Sequence, residues 1–182
     1  MFRMFLFLLF LNALGAGFIF YKVSSAEHDP VEWHVDPLVA EQTVKPHSYR
    51  VAPPALTQEF VDFPAPVYTA NPTLMAKAFD DFVLRQPKTI RIAGSPEEGW
   101  MTYVQRSVRV NFPDYISVKF IDLNGGNSTV AIYSRSRYGY SDMGVNEARV
   151  KAWLASLRSF EDENAVTTPV EILGDPEVTD LE

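Results

Sequence analysis

The residues best suited to chemistry fall within one thirteen-residue stretch, Ser134-Arg135-Ser136-Arg137-Tyr138-Gly139-Tyr140-Ser141-Asp142-Met143-Gly144-Val145-Asn146. Arginines hold anions through charge-assisted, often bidentate hydrogen bonds, and an aspartate can in turn hold the arginines. Arg135 and Arg137 share one parity, so in an extended chain both side chains leave on the same face. Arg149 lies three residues past Asn146, in the first turn of a helical pattern. A cation there meets the wrong end of the helix dipole and needs an anion, and Asp142 is the acid within the polar stretch.

Three kinds of site fit these residue types. In a structural clasp, Asp142 is held by two arginines while Gly139 and Gly144 permit tight turns. In an anion pocket, Arg106, Arg135 and Arg137 act with the backbone N–H groups that open the last helix. A hydrolase-like site would need Ser107, Ser134, Ser136 or Ser141 beside a base, with Asp114 and Asp142 as the nearby acids. The three histidines, His28, His34 and His47, all lie far upstream, and the stretch matches no motif of known mechanism. Non-catalytic binding therefore ranks above catalysis. The predicted site is Arg106, Arg135, Arg137, Asp142, Asn146 and Arg149, with Arg135, Arg137, Asp142 and Arg149 contiguous where the last strand meets the last helix. No cofactor and no metal are expected, since His28, His34, Asp29 and Asp36 form only a weak set of ligand types.

The elements that must position these residues are legible by period. Asn71-Pro72 is an N-cap followed by a first-turn proline, and Leu74, Met75, Ala78, Phe79, Phe82 and Val83 recur at helical spacing up to Pro87. Four strand patterns follow at Thr89 to Ala93, Trp100 to Ser107, Tyr115 to Leu123 and Ser128 to Arg135, the last two joined by the hairpin signal Asn124-Gly125-Gly126-Asn127. Val150, Trp153, Leu154 and Leu157 form the apolar stripe of a final helix from about Asn146, its predicted N-cap, to Leu157. The fold class is α+β: an antiparallel sheet of about four strands covered by two helices. Upstream, residues 27–70 carry seven prolines and read as an extended connector, with Tyr49 to Ala52 as a possible short strand. The core domain spans 71–160, and 161–182 is an acidic, weakly ordered tail.

Met4 to Tyr21 is almost unbroken apolar sequence between Arg3 and Lys22, roughly 27 Å as a helix, enough to cross a membrane. Residues 1–26 are therefore read as a membrane anchor, with Ser24-Ser25-Ala26 leaving a cleaved signal peptide as the alternative. A short cationic head before a long domain suits an inner-membrane, single-pass topology with the domain facing the periplasm or outer side. Trp33, just past the span, fits an interfacial anchor. The formal charge of −7 is unevenly spread. From Arg85 to Arg158 eleven bases face six acids, a net of +5, whereas Ser159 to Glu182 holds eight acids and no base. A basic core that meets an anionic lipid or an acidic partner protein is one reading, with the tail as competitor. Nucleic acid is not expected as a partner, given the acidic whole and the external address.

Tyr103-Val104-Gln105-Arg106-Ser107, Phe112-Pro113-Asp114, Ser134-Arg135-Ser136-Arg137 and Gly139 followed by Ser141-Asp142-Met143-Gly144-Val145-Asn146, with Arg149 and Val150 beyond, form a combined pattern. Over roughly residues 47–158 the chain resembles the domain of unknown function 1499 family of bacterial and plastid proteins. The resemblance implies a shared fold and often a membrane tether. It implies no activity and brings no functional residues with it.

Overall fold

The computed structural model describes residues 2–43 and 45–161. Helix α1 (Phe2–Ser24) is 23 residues long, and a short α2 (Pro30–Trp33) follows. The sheet is built from β1 (Ser48–Ala52), β2 (Phe63–Pro64), β3 (Val67–Tyr68), β4 (Thr89–Ser95), β5 (Trp100–Arg106), β6 (Pro113–Asn124) and β7 (Asn127–Ser136). Helix α3 (Pro72–Val83) precedes β4, and α4 (Val145–Leu154) closes the fold with a 3₁₀ extension to Phe160.

Strands β4 to β7 form the expected antiparallel meander, but the sheet is larger than four strands and is mixed. Its order is β2-β1-β7-β6-β5-β4, with β3 also on β7, and β1 pairs with β2 in parallel. The three additional strands come from the proline-rich stretch read as connector. Strand β1 matches the short strand expected at Tyr49 to Ala52; β2 and β3, two residues each, are too short to show a period, and Pro64 lies in an edge strand, where no ladder N–H is lost.

Only one face of the sheet is apolar. Val51, Met101, Tyr103, Ile116, Val118, Val130 and Ile132 point at α3 and α4 and pack with Met75, Phe79, Val83, Val150, Trp153 and Leu157. Asn71 caps α3 by accepting from the N–H groups of Thr73 (2.9 Å) and Leu74 (3.3 Å). Helix α4 starts differently from expectation. Its N-cap position is Gly144, at φ 80°, and Asn146 lies inside the first turn with no exposed surface. Asp142 does the capping, accepting from Asn146 N (2.7 Å) and Gly144 N (3.1 Å). The opposite parity of β1, β5, β6 and β7 places Arg50, Thr102, Arg106, Tyr115, Ser117, Tyr133 and Arg135 on the second face. Residues 25–43, a strap leading in from α1, run over that face. The acidic tail beyond 161 lies outside the described residues.

Candidate functional site

The register of the sheet brings Gln105 opposite Asp114 and Asp114 opposite Ser136, three strands deep on the helix face. Arg149 reaches down from α4 across all of them. Its Nε donates to Gln105 Oε1 (2.6 Å), one Nη to Asp114 Oδ2 (2.6 Å) and the other to Ser134 Oγ (3.1 Å) and Asn146 Oδ1 (2.5 Å). Asn146 completes the node by donating to His47 O (2.9 Å) and Ser136 Oγ (3.1 Å). Arg149 does have an acid to meet, but it is Asp114 rather than Asp142. Both partners are more than nine-tenths buried and all three guanidinium nitrogens are engaged, which marks a structural lock.

The remaining predicted arginines lie on the other side of the sheet. Arg135 and Arg137 leave on one face, as their parity requires, and Arg106 joins them from β5 and Arg50 from β1. The single cluster expected at the strand–helix junction therefore does not form: Arg149 and Asn146 sit on the helix face, Asp142 spends its carboxylate on backbone N–H groups, and Arg106, Arg135 and Arg137 meet the strap. A pleated strand sends adjacent residues to opposite faces, so Ser134 and Arg135 are separated by the thickness of the sheet.

The strap is held chiefly by these arginines. Arg135 donates to Trp33 O (2.8 Å) and to Ser117 Oγ (3.4 Å). Arg137 donates to Glu27 O (2.7 Å) and Tyr115 Oη (3.1 Å), and Arg106 to Ala26 O (2.9 Å) and Asn111 O (2.9 Å). The Trp33 ring, expected at the membrane interface, packs on the sheet. It stacks on Tyr115 at 3.7 Å between centroids, with the guanidinium carbons of Arg135 and Arg137 at 5.4 and 5.3 Å from its own. Tyr133 lies under Arg50 and Arg135 in the same way. Among the described residues no carboxylate lies within ion-pair distance of Arg106, Arg135 or Arg137, whereas Arg50 has Glu59 (3.4 Å) and Lys119 has Asp36 (2.5 Å). Arg135 is 7% exposed, and burial without a counter-ion pulls its pKa down to about 10.

Between strap and sheet a cleft of about 480 Å³ opens beside this layer. Tyr133, Arg135, Arg137 and His47 line one side, and Trp33, Glu32, Asp36 and Glu41 of the strap the other. His47 is 7% exposed and its Nδ1 has no partner among the described residues. Arg50, Trp33, Tyr133 and His47 are absent from the sequence-derived set. The alternation of Tyr49 and Val51 around Arg50 was the one available sign that Arg50 would share a face with Arg135.

The histidines, distant in sequence, come onto the sheet with the strap. His28 accepts from Arg106 at Nε2 (3.0 Å), which leaves Nδ1–H to donate to Tyr115 Oη (2.8 Å). Its pKa is lowered by burial first and then by Arg106 and Arg137. His34 bonds Thr102 Oγ1 (2.8 Å), which bonds Ser117 Oγ (3.1 Å), and its ring stacks on Trp100. Both hydroxyls are fully buried beneath the strap, so this base–hydroxyl chain fixes the strap and presents no nucleophile to solvent. Ser107 Oγ accepts from Phe112 N and Ser136 Oγ from Asn146, so neither is paired with His47 or Asp114. No cluster of three or more potential metal ligands occurs among the described residues.

The fold and site together define an α+β domain with an arginine-lined second face, led by a helix long and apolar enough to cross a membrane. The chain belongs to the family described as Protein of unknown function (DUF1499), whose sequence pattern matches residues 22–157. That match begins at the end of α1 and so takes in the strap as part of the family's domain. No curated protein matches the chain.

Proposed function

We propose that this chain is a membrane-tethered, non-catalytic binding module of the cell envelope. In this reading α1 is an uncleaved anchor in the inner membrane and the domain stands on the periplasmic or outer side. Arg3 ahead of the span and the long domain after it support that orientation. The arginine face takes an anionic group, free or carried on a partner protein, in the cleft beside Arg135 and Arg137.

One observation carries the ligand: three guanidinium groups share a face and meet only neutral acceptors, one of them almost wholly buried. A buried cation without a counter-ion costs several kcal/mol, on the order of what its hydrogen bonds to carbonyls return. A bound anion would offset that cost, and the aromatic rings of Trp33 and Tyr133 offset only part of it. Perturbed groups beside a cleft are the usual mark of a binding site.

Calorimetric titration of the full chain in neutral-lipid nanodiscs with phosphate, pyrophosphate and dicarboxylates tests the ligand. Saturable binding that Arg137→Ala abolishes, with folding intact, supports the reading. Heats too small to fit for every anion, or binding that survives Arg137→Ala, would refute it. In the same chain, an alkaline-phosphatase fusion after residue 60 should be active, and an inactive fusion reverses the orientation.

A further inference from the structure

The corner of the domain where α1 arrives has a composition of its own. The apolar run of α1 ends at Tyr21, and the carbonyls of Val23 and Ala26 both accept from Arg106, at 3.4 and 2.9 Å. Arg106 also holds Asn111 O, so the tight loop 107–111 sits against the point where the span ends. That loop is braced rather than slack. Ser107 N donates to Phe112 O (2.8 Å), Asn111 N to Ser107 O (3.0 Å), and Lys88 Nζ to Val108 O (3.1 Å). Its tip is Val108-Arg109-Val110, with Val108 69% exposed.

Two further features continue the same surface. Ile90, at the start of the edge strand β4, is 52% exposed, and a depression of about 510 Å³ runs between Ile90, Lys88 and Arg106. Arg85 and Arg109 are exposed and their side chains make no hydrogen bond to the described residues. At the far end of β4 and β5, roughly 20 Å away along seven residues of strand, the turn instead carries Glu97 and Glu98. The domain is thus charged along its strands, with bases near the span and acids away from it.

We propose that this corner is a membrane-docking surface: Val108, Val110 and Ile90 enter the interface while Arg85, Lys88 and Arg109 engage anionic lipid headgroups. The occupant follows from the tether, which keeps the loop within about one helical turn of the headgroup level, and from exposed apolar tips beside bases that have no counter-ion among the described residues. Docking would fix the domain's tilt on the membrane. The inference rests on α1 acting as an anchor, and the experiment separates the two.

The chain has no cysteine, so a single Val108→Cys carries a clean nitroxide label, with Glu98→Cys as the distant control. The full chain is placed in nanodiscs of phosphatidylcholine alone or mixed with phosphatidylglycerol, and co-elution with the disc reports anchoring independently. The expected result is that the label at 108 becomes accessible to oxygen and shielded from a water-soluble nickel relaxant in the anionic discs, while that at 98 stays aqueous. Charge reversal by Arg85→Glu with Arg109→Glu should lower the docked population on the order of tenfold or more. An aqueous signal at 108 in co-eluting anionic discs would overturn the proposal. So would equal shielding in neutral discs, or spin–spin broadening at 108 showing that a second copy covers it.

Discussion

Arg149 and Asp142 show how much a residue's meaning depends on what the sheet brings to it. Arg149 spans Gln105, Asp114 and Ser134 with all three guanidinium nitrogens engaged, and Asp114 is 6% exposed. Asp114→Ala would strand a buried cation and should destabilise by about 3–5 kcal/mol. Asp142→Ala removes only helix-capping bonds and should cost about 1 kcal/mol. Chemical denaturation of the two variants in the same membrane mimetic orders them: equal losses, or a larger loss at Asp142, would contradict the assignment of roles. Sequence proximity favoured Asp142 because it lies seven residues from Arg149, while Asp114 lies 35 away and is delivered only by the pairing of β6 with β5 and β7. The need of Arg149 for an acid was legible from the helix dipole. Its identity was not.

The element that most alters the reading of this chain is the strap. Its prolines and lack of period hide it from pattern analysis, yet it covers the polar face of the sheet and carries His28 and His34 onto it. The meander, its hairpin and the stripe of α4 were legible because their periods repeat over ten residues or so, and β1 was legible as the short strand Tyr49 to Ala52, whereas two-residue β2 and β3 show no period. His28 faces Arg106, Arg137 and Tyr115, with Glu27 and Asp29 beside it in the strap. His34 faces Thr102 and Trp100, with Glu98 nearby. Both histidines have pKa values lowered in the fold, by burial first. The unfolded chain then binds more protons than the folded one between the lowered values and about 6.5. The strap's attachment is therefore fully stable above that pH and weakens as pH falls through the window. Protection of the amides of residues 26–36, with rates corrected for the intrinsic slowing of exchange at lower pH, should fall from pH 7.5 to pH 5, and His28→Gln should reduce that fall. Exchange that follows only the intrinsic chemistry would count against this linkage.

For the whole molecule, two chemistries are divided between the faces of one sheet. The helix face is a closed core with the buried Arg149–Asp114 node. The strap face is a polar layer whose cations outnumber the acids that meet them, opening into the cleft at Arg135, Arg137 and His47. In the proposed reading an anion in that cleft would touch both the strap and the sheet, which line it together. The most direct test is crystallographic: the chain soaked with tungstate or selenate and measured for anomalous scattering. An anomalous peak is expected in the cleft within hydrogen-bond distance of Arg137 and Arg135, lost in Arg137→Ala. Strong peaks at other sites with the cleft empty would contradict it.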